Sequence, residues 1–446
     1  MGKLFGTDGI RGIVGEDLTH ELALKVGEAA AYVLGGKSKK ELTVLIGRDT
    51  RISGQMLASA LSAGLMSQGA KVIDLGVVPT PAVSYLVEKY DASMGVMISA
   101  SHNPSEYNGI KLFNDEGFKL PDATENEIEK YLLGKAVPTT TKVGTYEVCD
   151  TAIDDYVNHI VDTSKDINKK LKIVVDCAYG SASATAPILF DKLGMDVVVM
   201  NYEYDGYNIN DKAGSTHLEG LAKQVKKLKA DVGIAYDGDA DRCLMVDENG
   251  ELVDGDQIMA ISSLDLKESG DLRNNTLVGT VMSNLGLVKF CEQNDIHFEA
   301  TKVGDRYVLE KMLECDYIIG GEQSGHVIFK DFANTGDGEL TSVQILNILS
   351  KKGVKMSELA SIMKTYPQVL INVKVREEAK GQYENDSQVT KAIKEVEKQL
   401  KDNGRVLIRP SGTEALIRVM IEGLDQDDIN KKAKKIADVI EKKFGV

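Results

Sequence analysis

Three stretches of the chain repeat one design, and that repeat limits the fold more than any other feature. "LTVLIGRDTRISG", "LKIVVDCAYGSASA" and "NTLVGTVMSNLGL" each run a short, β-branched strand into a polar loop containing glycine. A helix-like stretch follows each one, and then a second strand: "KVIDLG", "DVVVMN" and a segment near "IHFEATKVG". Strand, helix and strand in that order predict α/β units with largely buried strands. The spacing is too long and too irregular for a solenoid, so three related domains are expected. None of the loops carries Gly-x-Gly-x-x-Gly, which argues against a dinucleotide-binding fold.

The C-terminal part changes character. The polar run "VREEAKGQYENDSQ" reads as a linker or an edge. Beyond it, Val389, Ile393, Val396 and Leu400 fall on one helical face. "RVLIRPSGTEALIRVMIEG" reads as two strands around a tight loop, and Ile429, Ala433, Ile436, Ile440 and Phe444 stripe a final helix. That order predicts a smaller α+β module. A length of 446 residues accommodates about three or four domains, so three α/β domains and this module fill the chain.

Charge narrows the partners. A net charge of -15 argues against nucleic acid or an anionic membrane surface, both of which attract basic faces. An anionic ligand would need local cationic pockets instead. No apolar run approaches a membrane span, and "MGKLFGTDG" has neither a signal-peptide core nor the myristoylation pattern. The scattered cysteines, Cys149, Cys177, Cys243, Cys291 and Cys315, form no Cys-x-x-Cys pair. They suit reduced, buried thiols in a cytoplasm rather than zinc ligands or disulfides.

Several loops carry candidate chemistry. In "SASHNPSEYNGIK", Ser101 and His102 precede an Asn-Pro turn, and Lys111 follows. The residues alone are compatible with a structural turn, a nucleophile or a group-carrying serine. In "YDGDADR", Asp237, Asp239 and Asp241 alternate after an apolar strand. Three such carboxylates repel one another, and a hard divalent cation, magnesium or calcium, would compensate. Glu248 stands twelfth from Asp237 as in an EF-hand loop, but Arg242 replaces the required glycine and the flanks read as strands. An incomplete magnesium shell with positions open to phosphate is the preferred reading, and a solvated acidic turn is the bland one. "RPSGTE" offers Arg409, Ser411, Gly412 and Thr413, with Arg418 returning on the next strand. That is a phosphate cradle by composition, though a plain hairpin turn uses the same residues. "GGEQSGH" places Glu322 and Ser324, whose oxygens suit sugar hydroxyls, near His326; it is not a serine-hydrolase elbow. "FGTDGIRG" adds Arg11 on a glycine-rich turn.

"FGTDGIRG", "SASHNPSEYNGIK", "DGDADR", "GEQSGH" and "RPSGTE", in this order and spacing, resemble the α-D-phosphohexomutases, and the resemblance covers the whole chain. It implies three related α/β/α domains with mixed sheets, 1–153, 154–253 and 254–368, and a smaller α+β C-terminal domain, 369–446, around a central cleft. It implies that Ser101 is the phosphoserine, and that Asp237, Asp239, Asp241 and the phosphoserine hold one Mg²⁺. Lys111 and His102 are implied in proton transfer, and Arg11 and Arg242 in stabilising transferring charge. Lys302, Gly304, Glu322, Ser324 and His326 would bind the sugar. Arg409, Ser411, Gly412, Thr413 and Arg418 would grip the remote phosphate. A sugar 1,6-bisphosphate is the implied intermediate and activator.

The Glu-Gln-Ser of the sugar loop is similar to the members acting on glucosamine phosphates, which supply UDP-N-acetylglucosamine and cell-wall synthesis, rather than to the Glu-Met-Ser of phosphomannomutases. The implied protein is a cytoplasmic enzyme, possible homodimer included, with a hexosamine phosphate substrate and neither nucleic acid nor membrane as partner. A phosphomannomutase or phosphoglucomutase, or a silent sugar-phosphate-binding protein, are the rival readings. Ser99 stands where many members have Thr, and Ala240 where glycine is frequent.

Overall fold

The computed structural model describes residues 4–6, 8–35, 41–411 and 415–446. Each repeat folds as a strand, a helix and a second strand parallel to the first. They are Thr43–Arg48, Gly54–Ser67 and Lys71–Val77; Ile173–Asp176, Ala182–Lys192 and Val197–Met200; and Thr276–Thr280, Leu285–Gln293 and His297–Thr301. Each pair of strands belongs to a separate mixed sheet, of 7, 5 and 4 strands respectively. In the first, Met94–Ile98 extends the parallel part, and Tyr107–Phe113, Gly9–Ile13 and Phe5–Gly6 continue it antiparallel. The C-terminal sheet of 3 strands is antiparallel, with Leu416–Glu422 between Gln368–Lys374 and Arg405–Pro410.

Helix Gly54–Ser67 packs on the first sheet through one apolar stripe. Leu57, Leu61 and Leu65 of Gly54–Ser67 are fully buried, each worth about 1.5–3 kcal/mol against exposure. That helix packs tightly on His20–Gly35. A Cβ at Gly27 would stand 2.3 Å from the Leu61 carbonyl oxygen, and one at Gly64 would stand 2.1 Å from that of Leu24. Any larger residue at either glycine would push the two helices apart.

The described chain forms two compact units. One runs to Met282 and includes Asn294–Ile362; the other is Ser283–Gln293 with Met363–Val446. In the second, Val389, Val396 and Leu400 of helix Ser387–Leu400 are buried, as are Ile429, Ala433, Ile436, Ile440 and Phe444 of Gln426–Phe444. The segment read as a linker or edge is part of this core. Val375, Ala379 and Tyr383 are buried there, because short 3₁₀ turns at Glu377–Ala379 and Tyr383–Asn385 direct its few apolar side chains inward. No helix among the described residues is long and apolar enough to cross a membrane.

A single feature recurs in all four sheets. In each, one loop at which a strand turns back antiparallel carries one of the candidate motifs. Met94–Ile98 and Tyr107–Phe113 flank the Ser101 loop, and Val232–Tyr236 and Cys243–Asp247 flank the three aspartates. Ile319–Gly321 and Val327–Phe329 flank Glu322–His326, and in the C-terminal sheet Arg409 stands at the end of Arg405–Pro410, opposite Arg418 of Leu416–Glu422. In the three α/β sheets these loops follow the carboxyl ends of strands, where ligands bind in open α/β folds.

Candidate active site

Ser101 sits at φ +51°, in the left-handed region that side chains other than glycine rarely adopt, and is 2% exposed. Its Oγ donates to Asp237 Oδ2 at 2.6 Å and lies 3.3 Å from His102 Nδ1. Burial, with Arg242 and Arg11 nearby, pulls the His102 imidazole down to about 4, so the ring is neutral at physiological pH.

The hairpin that carries the aspartates packs their carboxylates together, with ligand oxygens of Asp237, Asp239 and Asp241 within 4.8 Å of one another. Ala240, between two of them, is at φ +55°, which explains why glycine suits this position. Both Asp237 oxygens have partners: Oδ2 takes the Ser101 hydroxyl and Oδ1 the Arg242 N–H at 3.2 Å. Asp239 Oδ2 accepts from Lys111 Nζ at 2.8 Å and Thr80 Oγ1 at 2.5 Å. Asp239 Oδ1 and Asp241 Oδ1 are buried with no hydrogen-bond partner among the described residues. Unpartnered buried carboxylate oxygens are costly, and they fit a hard cation with oxygen ligands. Burial and the neighbouring aspartates push Asp237 and Asp241 up; burial also raises Asp239, but the Lys111 ammonium outweighs it and holds that carboxyl low.

Lys111 is 1% exposed, its Nζ 2.8 Å from Asp239, 3.0 Å from Asp8 and 3.6 Å from Asp241. Burial alone would lower its pKa, but these carboxylates raise it well above the usual lysine range, so the ammonium keeps its proton. Asp8 also binds Arg11 at 2.9 Å and Lys119 at 2.5 Å, and Lys119 reaches Asp305 at 2.5 Å. Arg11 also donates to Asn103 Oδ1 at 3.1 Å, and Arg242 Nε lies 3.8 Å from Asp241 Oδ1.

In the sugar-loop candidate, Glu322 Oε1 accepts the Gly304 N–H at 2.9 Å, which joins two of the expected residues. Gly304 has φ +130° and precedes the helix Asp305–Cys315. Ser324 Oγ is buried without a hydrogen-bond partner among the described residues. His326 Nε2 stands 3.6 Å from Asp305 Oδ2. Lys302 Nζ lies 5.8 Å from the Tyr307 ring centre. Gln323 Nε2 donates to Asp254 Oδ2 at 3.0 Å, so it braces the loop against the cap of helix Gly255–Ser269. In the second unit, Arg409 and Arg418 are direct partners across the hairpin. The Ser411 N–H closes its turn on the Leu416 carbonyl at 2.8 Å. Gly412 and Thr413 lie outside the described residues.

Four family models match the chain in order. They are described as the phosphoglucomutase/phosphomannomutase α/β/α domains I, II and III, over residues 2–136, 154–250 and 254–366, and the C-terminal domain, over 370–439. The chain belongs to the phosphoglucomutase/phosphomannomutase family. Among curated members of this family, a "Phosphoglucosamine mutase" of Acetivibrio thermocellus is 54% identical over 100% of both chains. One of Ruminiclostridium cellulolyticum is 53% identical over 99% of each. A family protein of Burkholderia thailandensis has a solved structure with TM-score 0.82 and 25% identity, covering 98% of this chain and 97% of its own. An Aspergillus fumigatus N-acetylphosphoglucosamine mutase, solved with GlcNAc-6P and magnesium, shares the fold at TM-score 0.70 and 17% identity, covering 98% and 95%.

Sequence reasoning missed residues that bond to the candidates, to the Ser101 loop or to one another: Asp8, Asp49, Arg51, Thr80, Lys119, Asn210 and Asp305. One signal was available. "GRDTR" begins at the carboxyl end of the first repeat's strand, where ligand-handling residues concentrate.

Proposed function

We propose that the chain interconverts glucosamine 6-phosphate and glucosamine 1-phosphate through a phosphorylated Ser101 and a glucosamine 1,6-bisphosphate intermediate. The observation that carries this reading is Ser101 itself. It is strained and buried, and it is aimed at Asp237 in a site that also gathers Lys111, His102, Arg11 and Arg242.

A free sugar hydroxyl attacks the phosphoserine phosphorus; the new P–O bond forms as the bond to Ser101 Oγ breaks. The hydroxyl's proton passes to the departing Oγ, with neutral His102 and the Lys111 ammonium as the acid–base pair. The bisphosphate then turns around, and its other phosphoryl group returns to Oγ by the reverse step. Asp237, Asp239 and Asp241 would hold one Mg²⁺, which would neutralise charge on the transferring oxygens. Arg11 and Arg242 add fixed positive charge to the same region. Arg409, Ser411, Gly412, Thr413 and Arg418 would grip the phosphate that is not being transferred, in either orientation of the intermediate.

Glu322, held by Gly304 through one oxygen, leaves the other for the substrate. A carboxylate there favours the C2 ammonium of glucosamine phosphates over a neutral hydroxyl. Lys302, Ser324 and His326 complete the proposed sugar contacts. The identity to relatives named for glucosamine phosphate supports the same substrate.

Initial rates on glucosamine, glucose and mannose 6-phosphates test the reading. The glucosamine compound should have the highest kcat/KM, by at least about tenfold, equivalent to one charge-assisted hydrogen bond. Equal or better turnover of mannose 6-phosphate would move the chain to the phosphomannomutases, and no turnover of any would leave a binding protein.

A further inference from the structure

A single buried guanidinium holds the loop on which Ser101 rides. The Arg51 side chain is wholly buried, as is the carboxylate of Asp49, whose Oδ2 accepts its Nε at 2.8 Å. The remaining donors all go to backbone carbonyls of the Ser101 hairpin. Nη2 reaches the carbonyls of Ser101 at 2.9 Å and Asn103 at 2.8 Å, and Nη1 those of Pro104 and of Tyr107, the latter at 3.0 Å. Asn210 arrives from a distant part of the chain and donates its Nδ2 to the same Ser101 and Asn103 carbonyls, at 2.9 and 3.0 Å. The other side of the residue is fixed as well. The Ser101 N–H donates to Ser99 Oγ at 2.9 Å, and that hydroxyl donates to Asp49 Oδ2 at 2.7 Å. Gly238 of the aspartate hairpin closes the cage, since a Cβ there would lie 2.5 Å from the Ser101 carbonyl oxygen.

We propose that Arg51, assisted by Asn210 and Ser99, is a positioning residue of the reaction. Arg51 and Asn210 fix the Ser101 carbonyl and Ser99 its N–H, so that Oγ stays at one point while the phosphoryl group leaves and returns. The inference rests on reading Ser101 as the phosphoryl carrier. Two physical arguments bear on it. The left-handed backbone of Ser101 persists only where its surroundings over-determine it, and three side chains supply that determination. A serine acting as both donor and acceptor must present the same oxygen in both half-reactions, and a misplacement of about 1 Å can cost about 10²-fold in rate. Lysine cannot replace the clamp, because one ammonium cannot span carbonyls on several residues as a planar fork does.

The test compares Arg51→Lys and Asn210→Ala with the unaltered full chain in Mg²⁺, by kinetics and by hydrogen–deuterium exchange of the peptide spanning 99–107. Arg51→Lys should lose about 100-fold in kcat with KM within about twofold, and Asn210→Ala about tenfold, because the loss lies in alignment rather than binding. The factor should be the same on glucosamine and mannose 6-phosphates, so it does not depend on which sugar is preferred. The 99–107 peptide should exchange faster in both variants while the other strands of its sheet keep their protection.

Turnover within threefold of the parent, or a loss carried by KM with unchanged exchange, would overturn the proposal. If Arg51→Lys does not fold, Asn210→Ala decides alone. If Ser101→Ala keeps full turnover, the functional reading falls, and the exchange of the loop still judges the clamp.

Discussion

The Ser101 loop and the Glu322–His326 loop are both hairpin turns between antiparallel strands, but they spend their polar groups differently. Around Ser101 the protein supplies the partners. Its carbonyl and its hydroxyl are bound by side chains from other segments, and its N–H by Ser99 of the same loop. In the second loop, Ser324 Oγ is buried without a hydrogen-bond partner among the described residues, and Glu322 commits one oxygen to Gly304. A loop that must place a reacting atom is preorganised by internal bonds, since any slack is subtracted from the transition state. A loop that must recognise a ligand, and recognise it in two orientations, leaves its oxygens for that ligand to satisfy. The comparison teaches that damage to the first loop should appear in kcat and damage to the second in KM.

The largest effect should come from the reacting atom. Ser101→Ala should reduce turnover to background while the thermal transition stays within a few degrees of the parent. Normal turnover in a folded variant would break the comparison outright.

Next in size is the carboxylate cluster behind that loop. Asp239→Asn should lower kcat by about 10²- to 10³-fold, the scale of removing one electrostatic contact to transferring charge. It should also raise the Mg²⁺ needed for half-maximal rate. Excess chelator should abolish activity and restored Mg²⁺ should return it. Undiminished activity in chelator would reduce the three aspartates to an acidic turn.

On the recognition side, Arg409→Ala should raise KM by about 10- to 100-fold with little change in kcat, because a phosphate grip is made in ground and transition states alike. A collapse of kcat at constant KM would instead place Arg409 at the reacting centre. The smallest effect belongs to Ser324→Ala. It should raise KM about fivefold, the worth of one neutral hydrogen bond, while improving stability slightly by removing a buried unpaired oxygen. A loss of kcat there would blur the division between the two loops.

Much of this was legible in the sequence because the signals are local. The repeated strand–loop–helix–strand text marks each parallel pair, and the stripe from Ile429 to Phe444 marks the last helix. The aspartate alternation needs no partner elsewhere to be noticed. Asn210 was not legible, because it reads as an ordinary loop residue, and Arg51 showed only its place just beyond the end of a strand. Arg51 meets the loop it clamps 50 residues away, and Asn210 meets Ser101 across 109 residues. The same holds for Thr80, which reaches Asp239 across 159 residues. The C-terminal segment after Val375 misled for a related reason. Its composition is polar, yet Ala379 and Tyr383 are spaced so that 3₁₀ turns bury both. Val375, Ala379 and Tyr383 stand four residues apart, but so few apolar residues in so polar a run leave the pattern unremarkable.

The central claim is that Ser101 carries the phosphoryl group, and mass analysis of the protein tests it most directly. The full chain with Mg²⁺ would be incubated with glucosamine 1,6-bisphosphate, digested and mapped, then treated with glucosamine 6-phosphate and mapped again. The account predicts one phosphoryl group on the peptide containing Ser101 after the first step and its loss to the sugar after the second. A phosphoryl group on another residue, or sugar turnover with Ser101 unmodified throughout, would contradict it.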